Sequence, residues 1–141
     1  MKKLFIILSI FIVTATAQAG TLTVVAKGLK NSKGVVQFSL YNKDGSIPDK
    51  KINKYYKIQR VEISNKEAVA IFTNLPKGRY AVSVFHDENS NGKIDKGLMM
   101  PVEGIGLSNF KSVNLFNPPN FKKASFLLDS NKKIVIGMIY L

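Results

Sequence analysis

Apolar and polar residues alternate along much of the chain. Leu22, Val24 and Ala26 alternate with Thr21, Thr23 and Val25, and Val36, Phe38 and Leu40 with Gln37 and Ser39. Tyr80, Val82 and Val84 alternate with Ala81, Ser83 and Phe85, and Ile134, Ile136, Met138 and Tyr140 repeat the spacing near the C-terminus. A period of two puts every second side chain on one face of a sheet, so these segments predict half-buried strands. About seven strands are expected, near 21–27, 34–41, 57–63, 67–73, 78–86, 122–128 and 133–140. Lys43-Asp44-Gly45, Asn65-Lys66, Pro76-Lys77-Gly78 and Ser130-Asn131-Lys132 supply the turns between them. Residues 46–56 have room for a helical turn or two, against which stand Pro48 and the lysines. The predicted class is all-β: a single antiparallel β-sandwich of about seven strands, with a long Asn/Gly/Pro-rich loop over 88–119. A loop of that length in a compact domain is usually functional. Leu75-Pro76-x-Gly78-x-Tyr80 predicts a tyrosine corner, its ring packed and its hydroxyl bonded to nearby backbone.

The N-terminus follows a different pattern. Met1-Lys2-Lys3 is positive, residues 4–13 are apolar except Ser9, and Ala17-Gln18-Ala19 fits a small-residue cleavage site. Together they predict a signal peptide over 1–19 and a single domain over 20–141, periplasmic or secreted. The apolar run is shorter than the roughly 20 residues that span a bilayer, and no transmembrane segment is expected after cleavage.

Composition narrows the chemistry. The chain has 141 residues, a net charge of +12, no cysteine and one histidine. That length suits one core. Without cysteine there is no disulfide framework, thiolate metal site, thiol nucleophile or lipidated cysteine. One histidine argues against a multi-histidine zinc site. The expected function is a non-enzymatic binding or accessory module of the cell envelope.

One loop carries a specific signal. Asp87-Glu88-Asn89-Ser90-Asn91-Gly92-Lys93-Ile94-Asp95 fits the first nine positions of a calcium loop, D-x-[DN]-x-[DN]-G. Asp87, Asn89 and Asn91 stand at positions one, three and five, and Gly92 allows the sharp turn at six. Lys93 would donate its carbonyl, Ile94 would turn inward, and Asp95 is the ninth-position ligand. Leu98 stands where a bidentate glutamate is expected, so Asp95 or Glu103 would have to complete the shell. The expected ligands of a weak, structural Ca²⁺ are therefore Asp87, Asn89, Asn91, Lys93, Asp95 and Glu103. A metal-free turn built on the same Asx residues is the alternative.

Two other features bear on function. His86 precedes the loop; it is either a strand-end histidine bonded to loop backbone or the base of a hydrolase acting near the ion. No G-x-S-x-G elbow accompanies it. Lys50, Lys51, Lys54, Lys57 and Arg60, with Tyr55 and Tyr56 among them, form the densest basic cluster. They suit a polyanion such as an acidic glycan, lipopolysaccharide or anionic lipid, rather than genomic nucleic acid, or else they guard a sheet edge. Pro118-Pro119 ends the long loop, with either isomer open.

A resemblance arises from several motifs in order. Residues 74–84, Asn-Leu-Pro-Lys-Gly-Arg-Tyr-Ala-Val-Ser-Val, lead into His86 to Asp95. Met100-Pro101-Val102-Glu103-Gly104-Ile105-Gly106-Leu107-Ser108-Asn109 and Asn117-Pro118-Pro119-Asn120-Phe121-Lys122-Lys123-Ala124 follow. This order resembles the secreted bacterial family known as domain of unknown function 2141, with Met99-Met100 as a departure. The resemblance implies a periplasmic or secreted protein with a transthyretin-like or immunoglobulin-like sandwich, and no established activity. The transthyretin-like fold includes a hydrolase of a purine-catabolism intermediate, which requires several histidines and a C-terminal Tyr-Arg-Gly-Ser. This chain has one histidine and ends Met138-Ile139-Tyr140-Leu141.

Overall fold

The alternating segments pair into two sheets in the computed structural model, which describes Ile10, Ile12, residues 19–94 and residues 103–140. In chain order the elements are β1 (Gly20–Lys27), β2 (Val35–Tyr41), β3 (Lys57–Glu62), β4 (Ala68–Leu75), β5 (Gly78–Asp87), β6 (Ile105–Leu107), α1 (Phe121–Ala124), β7 (Phe126–Leu128) and β8 (Lys132–Gly137). The first sheet has the order β4-β1-β8, antiparallel between β4 and β1 and parallel between β1 and β8. The second has the order β3-β2-β5-β6, all antiparallel, and β7 pairs with the start of β5. The protein is thus all-β, with two mostly antiparallel sheets.

One core lies between the sheets. Leu22, Val24 and Phe72 from the first sheet meet Phe38, Leu40 and Val84 from the second, all fully buried or nearly so. Each such side chain contributes about 1.5–3 kcal/mol by leaving water. Tyr80 joins this core, and its hydroxyl donates to the Pro76 carbonyl at 2.6 Å, as the corner motif predicts.

The second sheet is covered on its other face as well. There Tyr41, Ala81 and Leu107 pack against Ile47, Phe110, Phe121 and Ala124 from the long connections. This second layer explains where the strand pattern differs from expectation. Residues 121–124 form a helical turn rather than the start of a strand, because Asn120 accepts the Lys123 N–H at 2.9 Å and holds Phe121 and Ala124 on one face. Within the long loop, residues 105–107 form a short strand that extends the second sheet. No helix forms over 46–56; Asp49 accepts the N–H groups of Asn53 and Lys54 in a turn. The cis bond among the described residues is Ile47–Pro48, and the bonds before Pro118 and Pro119 are trans. After β8 the chain crosses between sheets: Met138 N–H bonds to Lys27, and Ile139 pairs with Ile105.

Candidate functional site

Three neighbouring features at the β5 end of the second sheet bear on function. The first is the loop after β5. Asp87 is fully buried, and its carboxylate gathers the loop around itself. Oδ2 accepts from Arg60 Nη2 at 2.6 Å and from the Gly92 N–H at 2.8 Å, and Oδ1 accepts from the Asn91 N–H at 3.1 Å. Asn89 Oδ1 also accepts from Asn91 N–H, at 3.2 Å, and Asn91 Oδ1 accepts from the Lys93 N–H at 2.8 Å. Positions one, three and five are therefore brought into one coil, closed by Asx hydrogen bonds. Gly92 holds the left-handed φ of 75° that its place in the motif requires. Glu103 is buried and folds back to the loop, its Oε1 accepting the Glu88 N–H at 3.1 Å. Asp95 lies outside the described residues, as do Leu98 to Pro101 and most of the predicted signal peptide. Among the described residues, no three His, Cys, Asp or Glu side chains are placed to share an ion.

Arg60 comes to Asp87 from β3, across β2. Its Nη1 reaches Gln37 Oε1 at 3.3 Å on the way. Gln37 Nε2 is buried with no hydrogen-bond partner among the described residues. Of the basic cluster predicted from sequence, Arg60 is thus engaged by a carboxylate. Lys57 lies 3.5 Å from the Thr73 carbonyl and 5.7 Å from the Tyr56 ring. Lys50, Lys51 and Lys54 stand exposed on the 49–56 turn.

The second feature is His86, which is fully buried on the core side of β5. Its Nε2 lies 2.7 Å from the Lys33 carbonyl and its Nδ1 2.8 Å from the Tyr140 hydroxyl. A carbonyl can only accept, so Nε2 carries the proton toward Lys33 and the tyrosine donates to Nδ1. The same hydroxyl accepts the Lys30 N–H at 2.9 Å, and burial pushes its pKa up. Gly34 completes the cage: its φ is 69°, and a Cβ there would overlap the Asp87 carbonyl oxygen. Both ring nitrogens are engaged with structural partners, as in the strand-end reading of this histidine.

The third feature was not legible as a site in the sequence. A cavity of about 190 Å³ lies on the covered face of the second sheet. Ser39 and Ser83, directly opposite each other on β2 and β5, line it together with Phe85 and Leu107. Ile47 and Ile52 from one connection, and Val113 and Pro119 from the other, line it as well. The space exists because two serines occupy the centre of a sheet face whose neighbouring rows carry Phe85 and Tyr41. Ile94, which the loop pattern turns inward, also lines it, and Lys50 stands among the residues around it. Tyr41 and Asp49 complete the lining; the hydroxyl donates to Asp49 Oδ2 at 3.0 Å. Burial, and then the Asp49 charge, push the Tyr41 pKa far above its ordinary 10.0. The available signal was the composition of the outward positions: Gln37, Ser39, Tyr41, Ala81, Ser83 and Phe85 include no charge, as a covered face requires.

No curated protein and no solved structure matches the chain. A family model covers residues 24–135, running from β1 into β8 and including the Asp87 loop and both cavity serines. The chain belongs to that bacterial family, described as an uncharacterized protein conserved in bacteria, DUF2141.

Proposed function

We propose that the protein is a non-enzymatic binding module of the cell envelope that takes a small, largely apolar ligand into the cavity over Ser39 and Ser83. The observation that carries this reading is the cavity's construction. It is concave, apolar in most of its lining, and supplied with a few polar groups, which are the usual attributes of a ligand site. Its volume, below the ~300–1,000 Å³ of drug-sized sites, suits a fragment-sized guest. His86 supports the non-catalytic side of the reading, since a base with both nitrogens held by Lys33 and Tyr140 has none left for a substrate. The signal-like N-terminus supports a periplasmic or secreted location for the module. The architecture is read as a transthyretin-like or immunoglobulin-like sandwich, supported by the two sheets sharing one core. Titration with 1-octanol, followed by amide chemical shifts, tests the reading: Ser39, Ser83 and Leu107 should move together.

A second reading concerns the loop. The Asp87 carboxylate accepts the N–H groups of the fifth and sixth loop residues, the coil that draws ligand oxygens toward one point. A weak structural Ca²⁺ would then be held by Asp87, Asn89, Asn91, the Lys93 carbonyl and Glu103, with Asp95 completing the shell. The ion would compete with Arg60 for Asp87, so the site would bind weakly. Thermal unfolding with calcium and with chelator tests this reading. The polyanion reading now rests on Lys50, Lys51 and Lys54, given how Arg60 and Lys57 are engaged; salt-dependent heparin binding tests it.

A further inference from the structure

Leu115 and Phe116 are 95% and 97% exposed, the most exposed large apolar side chains described after residue 19. They are not on a floppy tail. Asn114 and Asn117 form an isolated β-bridge around them, and Asn114 Oδ1 accepts the N–H groups of Phe116 at 2.9 Å and Asn117 at 3.0 Å. The turn is therefore built to hold two bulky apolar side chains in water, which costs free energy unless something covers them.

The stem of this turn fixes its location. Val113 and Pro119, on either side of it, line the same cavity as Lys50. Lys51 and Lys54 follow Lys50 on the neighbouring connection, and both are exposed. The stem of the Leu-Phe turn and Lys50 thus meet at one cavity, with Lys51 and Lys54 exposed a few residues along the chain from Lys50, in a chain of net charge +12. We propose that this region docks on an anionic lipid bilayer, with Leu115 and Phe116 entering the boundary between headgroups and acyl chains and Lys50, Lys51 and Lys54 lying over the headgroups. Apolar insertion and basic attraction together are what interfacial binding requires. A protein partner would match the apolar pair equally well, but the flanking charge and the small area of a two-residue tip favour a fluid anionic surface. The proposal is independent of what the cavity binds.

The chain contains no tryptophan, so Phe116→Trp makes the tip its own reporter. The substitution is at a fully exposed position and should leave folding intact. Vesicles of phosphatidylglycerol should shift the emission of this variant to the blue and pull the full chain down on sedimentation; phosphatidylcholine vesicles should do neither. Leu115→Ser with Phe116→Ser should weaken co-sedimentation by about tenfold or more. Lys50→Glu should weaken it by about fivefold or more, less so in high salt. Three results would overturn the proposal. One is emission that stays red on phosphatidylglycerol. Another is co-sedimentation unchanged by the serine pair, which would mean charge attraction alone. The last is a blue shift that appears without vesicles and grows with protein concentration, which would assign the tip to a second copy of the chain.

Discussion

The guanidinium of Arg60 meets the carboxylate of Asp87 at 2.6 Å, from a strand that is not its neighbour. β2 lies between them, and Gln37 on β2 bonds to the same guanidinium. Asp87 is fully buried while the Arg60 side chain is 39% exposed, so the pair sits where the edge of the sheet meets water. The pair ties the start of the Asp87 loop to the far side of the second sheet. Partial exposure of Arg60 weakens the attraction through solvent screening. Arg60→Met should therefore cost about 1–2 kcal/mol rather than the full penalty of an orphaned buried charge. Asp87→Ala should cost more, about 2–3 kcal/mol, because it also removes the acceptor of the Asn91 and Gly92 N–H groups that closes the loop. Urea unfolding of both variants checks the order; equal costs would mean the ion pair, not the loop hydrogen bonds, holds the segment.

His86 and Tyr140 form a structural pair in this account. Tyr140→Phe removes the hydroxyl that serves both His86 Nδ1 and the Lys30 N–H. A loss of about 1–3 kcal/mol is expected from leaving those groups unpaired. The denaturant midpoint reads it, and a midpoint within error of the parent would show the pair to be incidental.

Calcium should stabilise the chain modestly if the loop binds it. With a dissociation constant in the ~10⁻⁴–10⁻³ M class, about 10 mM Ca²⁺ adds roughly 1.4–2.7 kcal/mol. The rise in Tm should be absent with magnesium, reversed by EDTA and larger in Arg60→Met, where the competing cation is gone. No shift in either protein would leave the coil as a metal-free Asx turn.

The period-two pattern made the long strands readable. Burial alternates along β4 and over the first half of β1, whereas β2 and β5 are buried on both faces, and Tyr80 bonds to Pro76 as its motif implies. The short elements escaped because three residues cannot display a period: Ile105–Leu107 is a strand by its pairing alone. The strand expected over 122–128 begins only at Phe126, because the Asn120 cap turns residues 121–124 into a helical turn. For the site, the coil through Asp87, Asn89 and Asn91 is legible in the sequence because a contiguous motif needs no tertiary information. It could not show that Arg60 answers Asp87, because that pairing depends on β3 and β5 flanking the same strand. The lack of charge around Ser39 and Ser83 is compatible with a covered face, but the segments that cover it come from distant connections and show only in the second layer.

Alkaline pH should destabilise the fold. Tyr41, Tyr80 and Tyr140 all have pKa values raised from 10.0, chiefly by burial. The folded state thus holds these protons more tightly than the unfolded chain, so stability is full below about pH 10 and falls as pH rises through the folded values. Tyr41, which lies beside the Asp49 charge, is shifted furthest in the alkaline direction. Denaturant midpoints at increasing pH should fall in the parent and fall less in Tyr41→Phe. Parallel curves would place the alkaline loss elsewhere.

The decisive experiment on the cavity is the binding of 1-octanol to the parent and to Ser83→Leu, with Ser39→Val as a second, smaller filling of the same space. The parent should bind, with amide shifts around Ser39, Ser83 and Leu107, and filling the floor should remove binding while the fold keeps its stability. Octanol affinity that survives in both folded variants would contradict the cavity reading, because the cavity would then not be where the ligand goes.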